Sequence, residues 1–272
     1  MHMQQVMAVI CGFFLTIALS NAARAGVVLN ISATEFDKQG SPQNNMQLYF
    51  SNGFIKMVAN EATDTVYSQS ANNMTIIMHQ EKAYMVLDRH FASSMQNQMD
   101  KAMAEALAKM PPEQRAMAEK MMEQTLGQVG RGAAPIEKPE KTEIRKTSRS
   151  DTINGFDCVY YESFKRGQKN REYCVTPWDK LGTSEDIRGS VVSMTALMEE
   201  VFSELSKMAP VQMDSNPFDD IMEINGFPVL TRRFEGDRIV DEASLTSVSE
   251  KALGDAYFRP PNGYQQRAMG MR

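Results

Sequence analysis

The stretch 153–178 constrains the fold more than any other part of the chain, because it holds two cysteines within one predicted hairpin. Runs rich in β-branched and aromatic residues flank residues 165–167, Lys-Arg-Gly, which suit a three-residue loop with glycine in the left-handed position. A loop of that length places Cys158 directly opposite Cys174. Opposed β-carbons lie about 4.5–5.5 Å apart, close to the roughly 3.5–4.5 Å of a disulfide. The spacing predicts a Cys158–Cys174 disulfide, and the alternative is a pair of free buried thiols.

Residues 1–25 are typical of a secretory signal peptide. The apolar run at residues 6–19 is shorter than a transmembrane helix, which needs about 20 residues. Ala23-Arg24-Ala25 follows as an A-x-A site, so cleavage is predicted before Gly26. No Lys or Arg precedes the run, which leaves an uncleaved anchor as the alternative. The mature chain is therefore predicted to be periplasmic or secreted, in an oxidising space where disulfides persist, and not an integral membrane protein.

The charge of the chain argues against binding to nucleic acid. The sequence has 29 Lys and Arg against 34 Asp and Glu, a net charge of −5, with no block of basic residues. Proteins that bind phosphate backbones or anionic headgroups rely on clustered positive charge. Nucleic acid and anionic lipid headgroups are therefore poor candidate partners.

Recognisable catalytic patterns do not occur in the sequence. Neither His79 nor His90 stands at the spacing of a metal site or a catalytic triad, so exposed or helix-capping roles are expected for both. The Asp219-Asp220 pair is expected in a solvated loop, because neighbours on a strand point to opposite faces. We therefore predict a protein that is not an enzyme and has no cofactor.

The rest of the sequence alternates short β-type runs with helical regions. Asn52-Gly53 between two such runs is a strong hairpin signal, since both residues of a type I′ turn need positive φ. The first runs predict an antiparallel meander with strands at about ten-residue spacing. Outside the cysteine hairpin, the predicted strands are residues 27–33, 46–50, 54–58, 65–69, 74–79, 83–87, 142–149, 227–234 and 239–248.

Methionine marks the first helical region, a helix predicted over residues 91–110. Four apolar residues recur there at every fourth position, namely Met95, Met99, Met103 and Leu107. Pro111-Pro112 ends this helix and begins a second one, so a helical hairpin insertion is predicted over 91–126. A flexible linker rich in Gly and Pro is predicted over 127–141, and a further helix over 184–208.

Three short motifs carry a family resemblance: INGFDC at 153–158, GFPV at 226–229 and FRPPNGY at 258–264. With the order of strands and helices, they resemble an uncharacterised secreted family of the LolA/LolB-like (lipoprotein carrier) superfamily. The resemblance implies an α+β fold, a curved, unclosed antiparallel β-sheet (half-barrel) covered on its concave face by helices. It also implies a single LolA-like domain over 26–272. In the best-known members, the covered space receives the acyl chains of lipoproteins.

The methionine stripe is the best functional lead in the sequence. Flexible thioethers adapt to irregular ligands, so we expect the four stripe residues to line a lid over a hydrophobic ligand. That ligand would be a lipid acyl chain, a lipoprotein or an apolar envelope partner. The plainer alternative is that the stripe packs the helix onto the sheet. Two further alternatives are a Cu(I) site at Met95, Met99 and Met103, since Cu(I) prefers thioether ligands, and a structural or interaction module of the cell envelope.

Overall fold

The computed structural model describes residues 24–36, 43–117, 120–121, 142–181, 184–208, 220 and 223–267. These residues form a large, unclosed antiparallel β-sheet of twelve strands, accompanied by a few helices. The predicted α+β class is confirmed at this level. Residues 1–23 of the predicted signal peptide and the linker predicted at 127–141 lie outside the described residues.

The sheet and helices follow the predicted order along the chain. The two long helices are α1 (Phe91–Ala108) and α2 (Ser184–Met208). Residues 112–117 and 120–121 are also helical, and short 3₁₀ turns lie at Trp178–Leu181 and Asp255–Phe258. The strands are β1 (Arg24–Glu35), β2 (Gln43–Ser51), β3 (Phe54–Val58), β4 (Thr63–Ser68), β5 (Asn73–Met78), β6 (Ala83–Leu87), β7 (Glu143–Ile153), β8 (Phe156–Lys165), β9 (Gln168–Thr176), β10 (Phe227–Glu235), β11 (Arg238–Leu253) and β12 (Gln265–Gln266). The predicted strands are thus confirmed, and β12 is an addition.

The order of strands across the sheet is β12-β6-β5-β4-β3-β2-β1-β11-β10-β9-β8-β7. Neighbouring strands are antiparallel except for β12, which runs parallel to β6. Strand β1 lies inside the sheet, between β2 and β11. It therefore joins the meander β2–β6 to the later strands β7–β11, and the two ends of the sheet are formed by β12 and β7.

Two-residue turns with positive φ connect several of the hairpins. Asn52 and Gly53 have φ of 51° and 76°, and Ser51 pairs with Phe54 across the turn. The same arrangement recurs at Asn154-Gly155, where φ is 50° and 88°. Both residues of a type I′ turn need this left-handed conformation, and its twist matches that of the flanking strands. The hairpin predicted at Asn52-Gly53 is confirmed.

The cysteine hairpin has the predicted disulfide in a different register. Cys158 and Cys174 are bonded with an S–S distance of 2.11 Å. The predicted three-residue loop and the direct opposition of the two cysteines are wrong, because the turn has two residues and Tyr160 lies opposite Cys174. A two-residue turn suits the twist of the strands, and a β-bulge at Asn170 then shifts the pairing further. The disulfide therefore joins residues that are diagonal neighbours.

Helix α2 packs on one side of the sheet, which we name the α2 face. Leu29, Phe50 and Tyr67 of the sheet are buried there with Leu197 and Val201 of the helix. The disulfide belongs to the same core cluster. Full burial of one such apolar side chain contributes about 1.5–3 kcal/mol of transfer free energy, so this contact holds α2 on the sheet.

The opposite face of the sheet is covered in part by the C-terminal segment. Phe258, from the FRPPNGY motif, is buried among Val28, Tyr49 and Val66, and its ring stacks on Phe54 at 5.1 Å between centroids. Strand β12 follows directly and pairs with β6. The motif thus folds the last described residues across the sheet toward its edge.

Asp220 corrects one prediction made from the sequence. It is only 1% exposed and does not lie in a solvated loop, whereas Asp219 is outside the described residues. Its carboxylate accepts hydrogen bonds from Thr142 Oγ1 at 2.7 Å and from the Tyr173 hydroxyl at 2.6 Å. Burial, followed by the nearby Asp220 carboxylate, raises the pKa of Tyr173. Ile224 is buried beside Tyr173, so an apolar contact brings this segment onto the sheet.

Candidate functional site

Helix α1 begins at the core and leaves it along its length. Phe91 packs against the buried cluster of the α2 face, and α1 contacts α2. The backbone amide of His90 donates to Asp88 Oδ1 at 2.8 Å, while the exposed His90 side chain makes no cap hydrogen bond. The exposure predicted for His90 is confirmed. The start of α1 is thus fixed by Phe91 and by the Asp88 turn.

The predicted methionine stripe winds around α1 because a step of four residues turns about 40° beyond one full turn. Met95 and Leu107 are half-buried, whereas Met103 is 38% exposed. The backbone of Met99 is helical, and its side chain lies outside the description. The three described side chains therefore have different environments. Their contact with a ligand stays a prediction.

Arg115 fixes the end of α1. Its Nε donates to the carbonyl of Leu107 at 2.9 Å, and its Nη2 donates to the carbonyl of Ala108 at 3.1 Å. The last carbonyls of a helix have no partner within the helix, so a guanidinium there satisfies them and complements the helix dipole. The same contact holds the helical residues 112–117 against the end of α1.

Four exposed methionines lie on or beside α1 and the helical residues 112–117 and 120–121, and we name them the methionine surface. Met103 is 38% exposed, Met110 is 37%, Met117 is 67% and Met121 is 62%. Of these four, sequence reasoning placed Met103 in the ligand site and considered Met117 and Met121 only for the Cu(I) alternative. Helical periodicity gave no signal for the others, because α1 ends at Ala108 and Pro111-Pro112 separates Met103 from Met117. Patches of exposed apolar side chains are typical of interaction sites.

A charged network occupies the α2 face at β7, β9 and β10. The buried Glu172 carboxylate accepts hydrogen bonds from Lys169 Nζ and from Arg149 Nη2, each at 2.7 Å. Arg232 Nη1 lies 3.4 Å from the other carboxylate oxygen. Burial raises the pKa of the Glu172 carboxyl, but the hydrogen bonds from Lys169 and Arg149 outweigh that effect and hold it below the usual value. This end of the α2 face is polar and does not suit an apolar ligand.

Replacing the network's central carboxylate is expected to cost about 2 kcal/mol of unfolding free energy at neutral pH, because the buried carboxylate is the partner that three cationic side chains share. The change is Glu172→Gln. A carboxyl whose pKa is lowered by folding stabilises the protein above its unfolded pKa, near 4.5, and loses that contribution as the pH falls through the folded value. The difference between wild type and variant should therefore shrink below pH 4.5. Urea unfolding at a series of pH values measures it.

Glu162→Gln is the matched control for that prediction. Glu162 also binds Lys169, at 3.0 Å, but a quarter of its side chain is exposed. Exposed ion pairs contribute about 0–1 kcal/mol, so the control should lose less stability than Glu172→Gln. Equal losses, or a Glu172→Gln effect that does not change with pH, would contradict the assignment of the lowered pKa.

His79 corrects a second prediction. It is half-buried, with Nε2 at 3.0 Å from Asp64 Oδ2 and Nδ1 at 3.1 Å from the Tyr264 hydroxyl. Lys56 Nζ reaches the same Asp64 oxygen at 2.8 Å. The exposed or capping role predicted for His79 is wrong, because the C-terminal segment folds back over this face and supplies Tyr264. His79, which directly follows β5, thus connects Asp64 of β4 to Tyr264 of the FRPPNGY motif.

Within the described ranges, no group of three or more His, Cys, Asp or Glu residues is placed to hold a metal ion. None of the helices in those ranges is long and apolar enough to cross a membrane. The Cu(I) alternative concerns methionine thioethers, and it stays a prediction.

No family model and no curated protein matches the chain. An uncharacterized conserved protein from Thermus thermophilus matches 91% of this chain and 91% of its own, at 5% identity and a TM-score of 0.41. PNGF-II matches 90% of this chain and 31% of its own, at 10% identity and a TM-score of 0.39. The Pseudomonas aeruginosa MucA/MucB complex matches 88% of this chain and 56% of the matched chain, at 8% identity and a TM-score of 0.35. At these TM-scores the similarities assign neither a family nor a function, and the LolA-like resemblance stays a prediction.

Proposed function

We propose that this protein is a non-enzymatic periplasmic protein that binds an acyl chain, free or carried by a lipoprotein, at its methionine-bearing helices. In this proposal the sheet curves into a half-barrel whose concave side is the α2 face, and α1 is the lid. The observation that supports it most directly is the methionine surface. Thioether side chains are unbranched and flexible, so they adapt to a flexible hydrocarbon chain.

The contacts of α1 suit a helix that can open away from the residues it covers. Its first turn is held by Phe91 in the core, whereas Met103 and most of its other later residues are exposed. Segments with few buried apolar contacts open at low free energy. Opening α1 would expose Met95 and Leu107, which are half-buried, alongside Met103. The predicted stripe and the methionine surface would then line one apolar region.

The charged network limits where such a ligand lies. Burying each CH₂ group contributes about 0.8 kcal/mol, so half-burial of a 16-carbon chain would contribute about 6 kcal/mol and give a dissociation constant in the range of tens of micromolar. A chain that extended toward Glu172 and Arg149 would meet charges that are costly to desolvate. The ligand is therefore expected between α1 and α2, away from β7–β10.

Two lysines in the methionine surface are expected to weaken acyl-chain binding about tenfold or more, because a charge resists burial in an apolar contact. The variant is Met103→Lys/Met117→Lys, and the probe is a fluorescent hexadecanoic acid. Titration of the purified protein, followed by fluorescence, measures the dissociation constant. Glu105→Lys is the matched control, because it places the same side chain at an exposed position of the same helix. It should stay within about twofold of wild type.

Two outcomes would overturn the proposal. One is that the wild-type protein shows no saturable binding of the probe, and the other is that Glu105→Lys weakens binding as much as the double variant. Thermal unfolding of each variant shows whether the fold is retained. Cell fractionation with a mass measurement tests the compartment, and the expected mature chain begins at Gly26.

A further inference from the structure

A second concave region is lined by residues of the sheet that are distant in sequence from the methionine surface. It is an open cleft of about 460 Å³ formed by β1, β2, the middle of β11, the last residue of β3 and the turn that follows it. Small-molecule sites typically measure about 300–1,000 Å³, so the cleft has a suitable size. Six of its ten lining residues are polar, namely Asn30, Asn45, Gln47, Asn60, Glu61 and Thr246.

A β-bulge shapes the floor of the cleft. Asn30 pairs with Ser247 and Ile31 with Leu245, so Thr246 is the extra residue on β11. The hydroxyl of Thr246 donates to the carbonyl of Asn30 at 3.0 Å, which fixes the bulged backbone. Bulges are over-represented beside functional sites, where they redirect side chains. Here the bulge brings Thr246 into the lining.

Hydrogen bonds orient the carboxamides in advance. The Tyr49 hydroxyl donates to Gln47 Oε1 at 2.7 Å, and Gln47 Nε2 donates to Asn30 Oδ1 at 2.8 Å. Asn30 Nδ2 then donates to Ser247 Oγ at 2.9 Å. A carboxamide has two donor hydrogens and two acceptor lone pairs. Gln47 and Asn30 each use one of each kind in these bonds, so each keeps one donor hydrogen and one lone pair for a ligand. A hydroxyl group suits such a site, because it donates one hydrogen bond and also accepts hydrogen bonds.

The chemistry of the lining excludes other ligand classes. None of the ten described residues that line the cleft is positively charged, so an anion would find no counter-charge. Glu61 is the single carboxylate among them, too few for a metal site. One carboxylate beside several amides suits a neutral polyhydroxyl ligand, because a carboxylate accepts hydrogen bonds from adjacent hydroxyls. Val58 and Ala59 add apolar surface for the C–H groups of a sugar ring.

We propose that this cleft, with Asn45, Gln47, Asn60 and Glu61 as its hydrogen-bonding groups, binds a short segment of a neutral glycan. Asn60 already accepts backbone hydrogen bonds from Ala62 and Thr63 through Oδ1, which leaves its NH₂ group as the donor that a hydroxyl would meet. The glycan site is independent of the acyl-chain site, since the two lie on different elements.

Titration with tri-N-acetylchitotriose and with maltotriose tests the proposal. The side-chain NH₂ resonances of Asn45 and Gln47, followed by NMR on the purified full protein, should shift saturably with at least one of the two sugars. A response to chitotriose alone indicates an acetamido sugar, and a response to maltotriose indicates recognition of hydroxyl groups. Asn45→Ala should weaken binding about fivefold to tenfold, the equivalent of one lost hydrogen bond.

Asn44→Ala is the matched control, because Asn44 is the exposed strand neighbour whose side chain points to the other face. It should change the dissociation constant by less than about twofold. Met103→Lys/Met117→Lys should bind the sugar as wild type does, which separates this site from the acyl-chain site. No saturable shift with either sugar at millimolar concentration, or equal weakening by Asn44→Ala and Asn45→Ala, would overturn the proposal.

Discussion

Replacing both cysteines, as Cys158→Ala/Cys174→Ala, is expected to lower the free energy of unfolding by about 3 kcal/mol. The bond closes a loop with a sequence separation of 16, and a cross-link of that length removes conformational entropy from the unfolded chain. Both sulfurs also lie in the core of the α2 face, so their loss leaves unfilled space beside Tyr160 and Leu230. Urea unfolding of the oxidised wild type and of the double variant measures the difference.

Reduction provides the control for the disulfide. Wild-type protein unfolded in the presence of dithiothreitol should lose most of the same stability, whereas the double variant should not respond to the reductant. If reduction and the double variant each cost less than about 1 kcal/mol, the cross-link is not a main source of stability. A large cost in the variant alone would assign the effect to core packing.

Gly226→Ala is expected to cost about 3 kcal/mol or more, because the added methyl group meets main chain that cannot move aside. A β-carbon at Gly226 would lie 2.4 Å from the carbonyl oxygen of Thr176 and 2.6 Å from a methyl group of Val175. Residue 226 opens the GFPV motif, where Phe227 pairs with Thr176 as β10 joins β9. The close approach of the two strands therefore accounts for the glycine. Thermal unfolding and expression yield measure the loss.

Gly254→Ala is the matched control for this substitution. A β-carbon there meets nothing within 4 Å, and its φ of −87° is ordinary for alanine. The control should stay within about 0.5 kcal/mol of wild type, or become slightly more stable. A Gly226→Ala protein as stable as the control would mean that β9 and β10 separate more easily at this point than the structure indicates.

Local signals in the sequence were enough to predict the hairpins. The turn at Asn52-Gly53 depends on two residues that accept positive φ, and this preference follows from the residue types alone. The pairing of Cys158 with Cys174 could be predicted for the same reason, since a short hairpin brings them close in more than one register. The register itself depends on the bulge at Asn170, for which the sequence shows no local signal.

Contacts between distant segments explain the misses. Asp220 is buried by partners 78 and 47 residues away, Thr142 and Tyr173, and neither is recognisable as a partner from sequence. Tyr264 reaches His79 across 185 residues. Long-range burial overrides the local expectation that adjacent carboxylates lie in solvent and that an isolated histidine is exposed.

About half of the candidate site could be predicted. The helix and its methionines follow from periodicity, which locates Met95, Met103 and Leu107 on α1. Periodicity does not show which of these side chains are solvated, because that depends on how α1 sits against α2. The role of Arg115 at the end of α1 also needed the structure, since its acceptors are backbone carbonyls and carry no side-chain signal.

The central position of β1 sets the order in which this chain can fold. Asn30 on β1 and Ser247 on β11 are 217 residues apart, so the middle of the sheet joins the two ends of the chain. Chains dominated by such non-local pairings fold slowly, since loop-closure entropy is lost before the contacts form. As an exported chain emerges from its N-terminal end, β2–β6 can pair before β11 is present, and one edge of β1 remains unpaired until then. We therefore expect slow folding with a late step that joins the two halves of the sheet, and a partly folded chain that depends on protection from aggregation until that step is complete.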